Sequence, residues 1–94
     1  MIEILNNDKV VTITEGDPCK LVFTCKSKGY TGPLSLQSSC GCSIPDGPRY
    51  VEDGQVFNVT VTFDSTGRKG NNVKSVALTT NENTYKAKFT IKVL

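Results

Sequence analysis

The chain has 94 residues, a formal net charge of +2, 37% hydrophobic residues, four cysteines, and neither histidine nor tryptophan. This length supports one domain, residues 1–94, around a single modest core. The charge is too small to argue for nucleic acid, and the missing histidine removes the commonest general base and metal ligand.

The N-terminus, Met1 to Asp8, has no basic n-region, apolar h-region or small-residue cleavage site. No apolar run approaches the ~20 residues that span a bilayer. The expectation is a chain made and kept in a cytosol, or one from which a leader was cut. Ile2 to Leu5 and Lys9 to Glu15 read as two short strands, or one strand broken at Asn6-Asn7-Asp8, and Gly16-Asp17-Pro18 as a turn. From Cys19 to Lys26 the residues alternate, with Cys19, Leu21, Phe23 and Cys25 on one face. Period two predicts a strand with its cysteines inward. Lys28 to Gly32 turns the chain, and Pro33 to Ser38 follows with Leu34 and Leu36 inward.

Ser38 to Pro48 holds two cysteines, two glycines and two prolines. Proline lacks a donor and fixes φ, which excludes a helix or a regular central strand. The stretch predicts a bent crossing in which Cys40 and Cys42 turn inward, Gly41 lets the backbone bend, and Ile44 and Pro45 cap the open end of the sandwich. Arg49 to Val51 reads as a brief edge strand, and Gln55 to Asp64 as the clearest strand, with Phe57, Val59, Val61 and Phe63 on one face. Ser65 to Asn72 is a polar loop. Val73 to Thr80 and Tyr85 to Leu94 complete the pattern. Lys86, Lys88 and Lys92 share one face of the last strand, read as a solvated face with edge-protecting lysines.

About seven short strands with frequent turn signals predict an all-β, antiparallel sandwich. Phe23, Leu34, Phe57, Val59, Val61, Phe63, Phe89 and Ile91 are its expected core.

Several pieces form a pattern from about Cys19 to the C-terminus: Phe23 with Cys25 two residues on, Gly29, Pro33-Leu34, and Ser39-Cys40-Gly41-Cys42 followed by Ser43 and Pro45. Gly54, Val61-Thr62-Phe63-Asp64, Gly67 with Gly70, and Thr80-Asn81 continue it. The pattern resembles a bacterial family of uncharacterised domains marked by a Ser-Cys-Gly-Cys motif, similar to the ASH/MSP/HYDIN branch of immunoglobulin-like folds related to the PapD chaperone. The chain departs from that family at Ser27, where asparagine is usual, and at Cys25, where an aromatic is usual. The resemblance implies an immunoglobulin-like sandwich and carries over no established enzymatic activity; its members usually carry export signals and sit in the bacterial envelope.

Cys19, Cys25, Cys40 and Cys42 are the candidate disulfide residues, with three readings. Zinc sites favour two to four residues between paired ligands, which this spacing does not offer. A disulfide would join one loop cysteine to Cys19 or Cys25 and pin the loop to the core. The third and preferred reading is small buried hydrophobes. Gly67-Arg68-Lys69-Gly70 imitates a phosphate cradle without a following helix. Asn58-Val59-Thr60 matches a glycosylation acceptor mid-strand, and Asp46, Glu52, Asp53 and Asp64 are too dispersed for a dense calcium loop.

The functional expectation is a non-enzymatic assembly module with no cofactor and no metal. Its favoured form is a bacteriophage virion auxiliary or capsid decoration protein, in the virion or host cytoplasm, that binds a repeated protein shell. The alternative is a protein-binding domain of a bacterial envelope protein. A redox or metal protein using Cys40 and Cys42 is a third class. Neither nucleic acid nor membrane is an expected partner.

Overall fold

The computed structural model describes residues 1–94 and contains ten strands and no helix. They are β1 (Ile2–Ile4), β2 (Lys9–Ile13), β3 (Cys19–Ser27), β4 (Gly32–Pro33), β5 (Ser35–Ser38), β6 (Ser43–Asp46), β7 (Tyr50–Val51), β8 (Val56–Phe63), β9 (Gly70–Thr79) and β10 (Thr84–Val93). One sheet runs β1-β3-β8-β6, the other β2-β10-β9-β5, and β4 pairs with β7 in a small ribbon. Every pairing is antiparallel except β2 beside β10. This order is that of an immunoglobulin-like sandwich.

The alternation in sequence becomes the two inner faces. Cys19, Leu21, Phe23, Cys25 and Ser27 of β3 are buried, as are Phe57, Val59, Val61 and Phe63 of β8. β10 contributes Ala87, Phe89, Ile91 and Val93. All eight expected core residues lie in one cluster. Phe23 and Phe89 come from opposite sheets and meet with ring centroids 6.1 Å apart, within the range of favourable aromatic pairing.

The N-terminal strand breaks at Asn6-Asn7-Asp8 because it changes sheets there. Asn6 accepts from Thr24 N at 2.9 Å and donates to Val22 O at 3.1 Å, imitating a ladder partner for β3. Asn7 does the same for β10, accepting from Lys88 N at 2.7 Å and donating to Lys86 O at 3.2 Å. Adjacent carboxamides thus satisfy backbone groups on both sheets, which would otherwise be left unpaired at the switch.

Five expectations need correction. The polar loop read over Ser65 to Asn72 is shorter, because Gly70, Asn71 and Asn72 already pair with β10 and open β9. Pro33 to Ser38 is not one strand, because Leu34 turns inward and donates its N–H to Arg49 O at 2.8 Å, separating β4 from β5. Ser43–Asp46 is a strand, not loop; β6 is the outermost strand of its sheet, where proline's missing donor is tolerated. Ile44 does not cap the sandwich. It is 67% exposed, since strand parity sets it beside Thr62 on the outer face. The lysines of β10 do not protect an edge, because β10 lies between β2 and β9.

Candidate functional site

The crossing from β5 to β6 carries the motif singled out in sequence, and local hydrogen bonds explain its bend. Ser38 Oγ donates to Cys40 O at 2.7 Å and accepts from Cys40 N at 3.2 Å. Ser39 exchanges bonds with Ser75: its N–H donates to Ser75 O at 2.9 Å, and its Oγ accepts from Ser75 N at 3.1 Å. Serine hydroxyls thus replace ladder partners as β5 leaves its sheet. Ser43 N donates to Cys40 O at 3.2 Å, and Asp64 N donates to Cys42 O at 2.9 Å, which fastens the far side of the loop to the end of β8.

Cys40 and Cys42 are joined to each other, with Cα atoms 5.3 Å apart, a separation a disulfide normally spans. This corrects the preferred reading of Cys40 and Cys42 as unbridged small hydrophobes and also the alternative pairing of one of them with Cys19 or Cys25, both of which are buried free thiols. Cys19 lies opposite Phe63, which lies opposite Ser43. Two strand spacings, ~10 Å, therefore separate β3 from β6, beyond the ~7 Å Cα reach of a disulfide. Cys25 is farther still, ~20 Å along the same strand from Cys19. Cys40 is half-buried, Gly41 exposed and Cys42 buried.

Two concavities flank β5. One is a cleft of 270 Å³ between the edges of the two sheets, with Leu34 and Leu36 on one wall and Asp46, Gly47 and Arg49 on the other. Gly47 keeps it narrow, because a Cβ there would stand 3.1 Å from Leu36 Cδ1 and 3.2 Å from Asn58 O. The second is a depression on the outer face, with Ser75 and Ala77 as its floor and Gln37, Ser39 and Lys86 around it. Neither was foreseen. The first lies between strands of different sheets and the second between strands distant in the chain, and no local pattern says which strands will face one another.

The outer face of this second sheet also carries an apolar row. Val10, Thr90 and Val73 are register partners across β2, β10 and β9, so their side chains stand side by side at ~4.8 Å spacing. Val10 is 72% and Val73 73% exposed. Lys88 and Lys92 stand two residues to either side of Thr90 on the same face of β10. The column ends in Lys86, beside the depression.

The remaining sequence candidates are scattered. Asp53 accepts from Gly29 N at 2.7 Å, while Asp46 lies at the cleft. Asp64 accepts from Thr66 N at 3.0 Å; that backbone donor, with the Thr66 hydroxyl and Arg68 adding to it, holds its carboxyl below the usual range. In the Gly67 to Gly70 loop, Gly67 N donates to Glu15 at 2.7 Å, so a carboxylate of the chain itself already occupies that amide. Asn58 is exposed on the outer face of β8, accepting from the Thr24 hydroxyl at 3.0 Å.

Burial raises the Cys19 thiol pKa and pushes that of Cys25 up to about 11 from an ordinary 9.0. The fold therefore favours the neutral thiol, whereas the unfolded chain ionises near its ordinary value. Stability is unaffected by these groups below pH 9 and falls as pH rises from 9 toward 11. For Cys25 the expected loss is ~1–3 kcal/mol, measured by urea unfolding at stepped pH. Cys25→Ala should flatten that part of the profile. An equally steep fall in the variant would show that Cys25 is not responsible.

The family model described as "Protein of unknown function (DUF1573)" matches residues 6–94. No curated protein matches. Among solved structures, a family 123 glycoside hydrolase from Clostridium perfringens is similar with a TM-score of 0.78 at 11% identity, over 94% of this chain and 23% of that one. A Bacteroides ovatus GH5 xyloglucanase is similar with a TM-score of 0.67 at 6% identity, over 100% of this chain and 19% of that one. An I-set immunoglobulin-like domain of the giant muscle protein titin is similar with a TM-score of 0.54 at 17% identity, over 97% of this chain and 98% of that one. The chain thus spans a fifth to a quarter of the two bacterial enzymes. At these identities the likeness concerns the fold, which is immunoglobulin-like.

Proposed function

We propose a function for a chain that belongs to the DUF1573 family of proteins of unknown function: it is an immunoglobulin-like module that acts by binding another protein. The observation that carries this reading is the exposed Val10–Thr90–Val73 row between Lys88 and Lys92. Two exposed valines on a rigid sheet, with a lysine on either side of the threonine between them, suit a protein partner with an apolar centre and acidic groups beside it. Fold alone names no function, so the argument rests on this face.

The setting we favour is the bacterial envelope. The Cys40–Cys42 disulfide supports it, because such bonds persist in oxidising compartments. The bacteriophage virion is the second setting, in which the same face would meet a repeated shell. The proposal extends to the finer kinship: Ser39-Cys40-Gly41-Cys42 is the mark of the family, and the domain belongs to the ASH- and PapD-related branch.

The test is a photo-crosslinking residue at Val73, compared with one at Val56, which is 58% exposed on the opposite face. One discrete protein adduct at Val73, absent at Val56 and abolished by Lys88→Glu, is the expected result. Fractionation then assigns it to envelope or virion. Equal labelling from both faces, or none from Val73, would reject the face as the binding surface.

A further inference from the structure

We infer that the Cys40–Cys42 bridge is a thiol–disulfide exchange site, with dithiols as its substrate class and Cys40 as the sulfur that meets them. This goes beyond the binding role and does not depend on it. The first ground is that the bridge has little to do as a staple. It spans a sequence separation of 2, and closing so short a loop removes little entropy from the unfolded chain compared with a bridge between distant strands. Backbone bonds from Ser39 to Ser75 and from Asp64 to Cys42 already hold both ends of the loop.

The second ground is access. Cys40 is only half-buried, and its neighbour Gly41 is exposed with open space where a side chain would be. An external thiolate can approach the Cys40 sulfur. Cys42 is 4% exposed and cannot be approached in the same way.

The third ground is that each sulfur has its own hydrogen-bond donor. Cys42 N donates to Cys40 Sγ at 3.1 Å. Ser43 Oγ stands 3.8 Å from Cys42 Sγ, and since a bridged sulfur carries no proton, the hydroxyl is the donor. Ser43 is itself buried, so its dipole acts in a low-dielectric setting. Donors of this kind favour thiolate over thiol.

The steps balance without any further reagent. A substrate thiolate attacks Cys40 Sγ, forming a mixed disulfide as the Cys40–Cys42 bond breaks. Cys42 leaves as a thiolate supported by Ser43 and takes up a proton. The second substrate thiolate then attacks the substrate sulfur of the mixed disulfide. The substrate leaves as its own disulfide, and Cys40 departs as a thiolate facing Cys42 N–H. Two electrons pass from the substrate dithiol to the Cys40–Cys42 pair, and the two protons lost by the substrate go to Cys40 and Cys42 or to water.

The experiment incubates the folded, oxidised chain with a reduced dithiol peptide, followed by acid quench, alkylation and mass spectrometry. The expected result is one peptide disulfide formed for each pair of thiols that appears at Cys40 and Cys42, with Cys19 and Cys25 free thiols both before and after the reaction. With a small disulfide such as glutathione disulfide as the probe, the reduced Cys42→Ser chain should form its mixed disulfide at Cys40, releasing one glutathione thiolate, at least ~10-fold faster than the reduced Cys40→Ser chain does at Cys42. Ser43→Ala should slow opening of the bridge by ~3–10-fold, and Ser43→Thr should restore it. A bridge that opens only in denaturant would overturn the inference. So would equal trapping at the two cysteines, or an opening rate unmoved by Ser43→Ala.

Discussion

Phe63→Ala is expected to lower the stability of the chain by ~3–5 kcal/mol, read as a shift of the urea midpoint at unchanged m. Phe63 is 2% exposed and is the last inward residue of β8. It has Cys19 opposite it on β3 and Ser43 opposite it on β6. No smaller side chain can fill that row, because both partners are short and both belong to paired strands. A domain of this size has a total stability of only ~5–15 kcal/mol, so the loss would be a large share of it. Thr62→Ala, one residue back on the outward face, should change stability by less than ~0.5 kcal/mol. If the two effects exchanged places, the faces of β8 would be reversed.

Gly32→Ala should cost ~2–4 kcal/mol, through overpacking and the loss of a hydrogen-bonded corner. A Cβ at Gly32 would stand 2.7 Å from Tyr30 Oη and 3.0 Å from Cζ. The ring cannot simply move aside. It is 5% exposed, its hydroxyl donates to Pro33 O at 2.6 Å, and it accepts from Asn81 N at 3.3 Å. That hydroxyl joins the start of the β4 ribbon to the turn between β9 and β10. Tyr30→Phe alone should cost ~1–2 kcal/mol. The double variant should cost less than the sum of the two, because the contact with Oη is gone. Strict additivity would mean that Gly32 is required for some other reason, and a neutral Gly32→Ala would rule out the crowding outright.

Where one face of a strand is buried, the residues themselves carried the reading. β3, β8 and β10 alternate with few exceptions, and the side chains on their apolar faces are those in the core. Val22, the one apolar residue on the polar face of β3, is indeed outside, 41% exposed. The Asn6-Asn7-Asp8 break was also visible, although its cause, two carboxamides bonding to different sheets, was not. Ser43 to Asp46 was misread as loop because Pro45 weighs against a strand in general. Its place at an edge, where that weight vanishes, is set by partners far off in sequence.

What the sequence by itself determined is the class and the interior: period two and turn residues dictate strands, and apolar parity dictates which side faces the core. What only the tertiary structure decided is which strands become neighbours. That choice sets Cys19 two strands from the crossing and leaves Cys40 and Cys42 to each other. It turns the lysines of β10 from edge guards into a column on a central strand, lines Val10 and Val73 up across Thr90, and opens the cleft beside β5. The physical reason is that alternation is a local property of one strand, while register and sheet order come from contacts between residues distant in the chain.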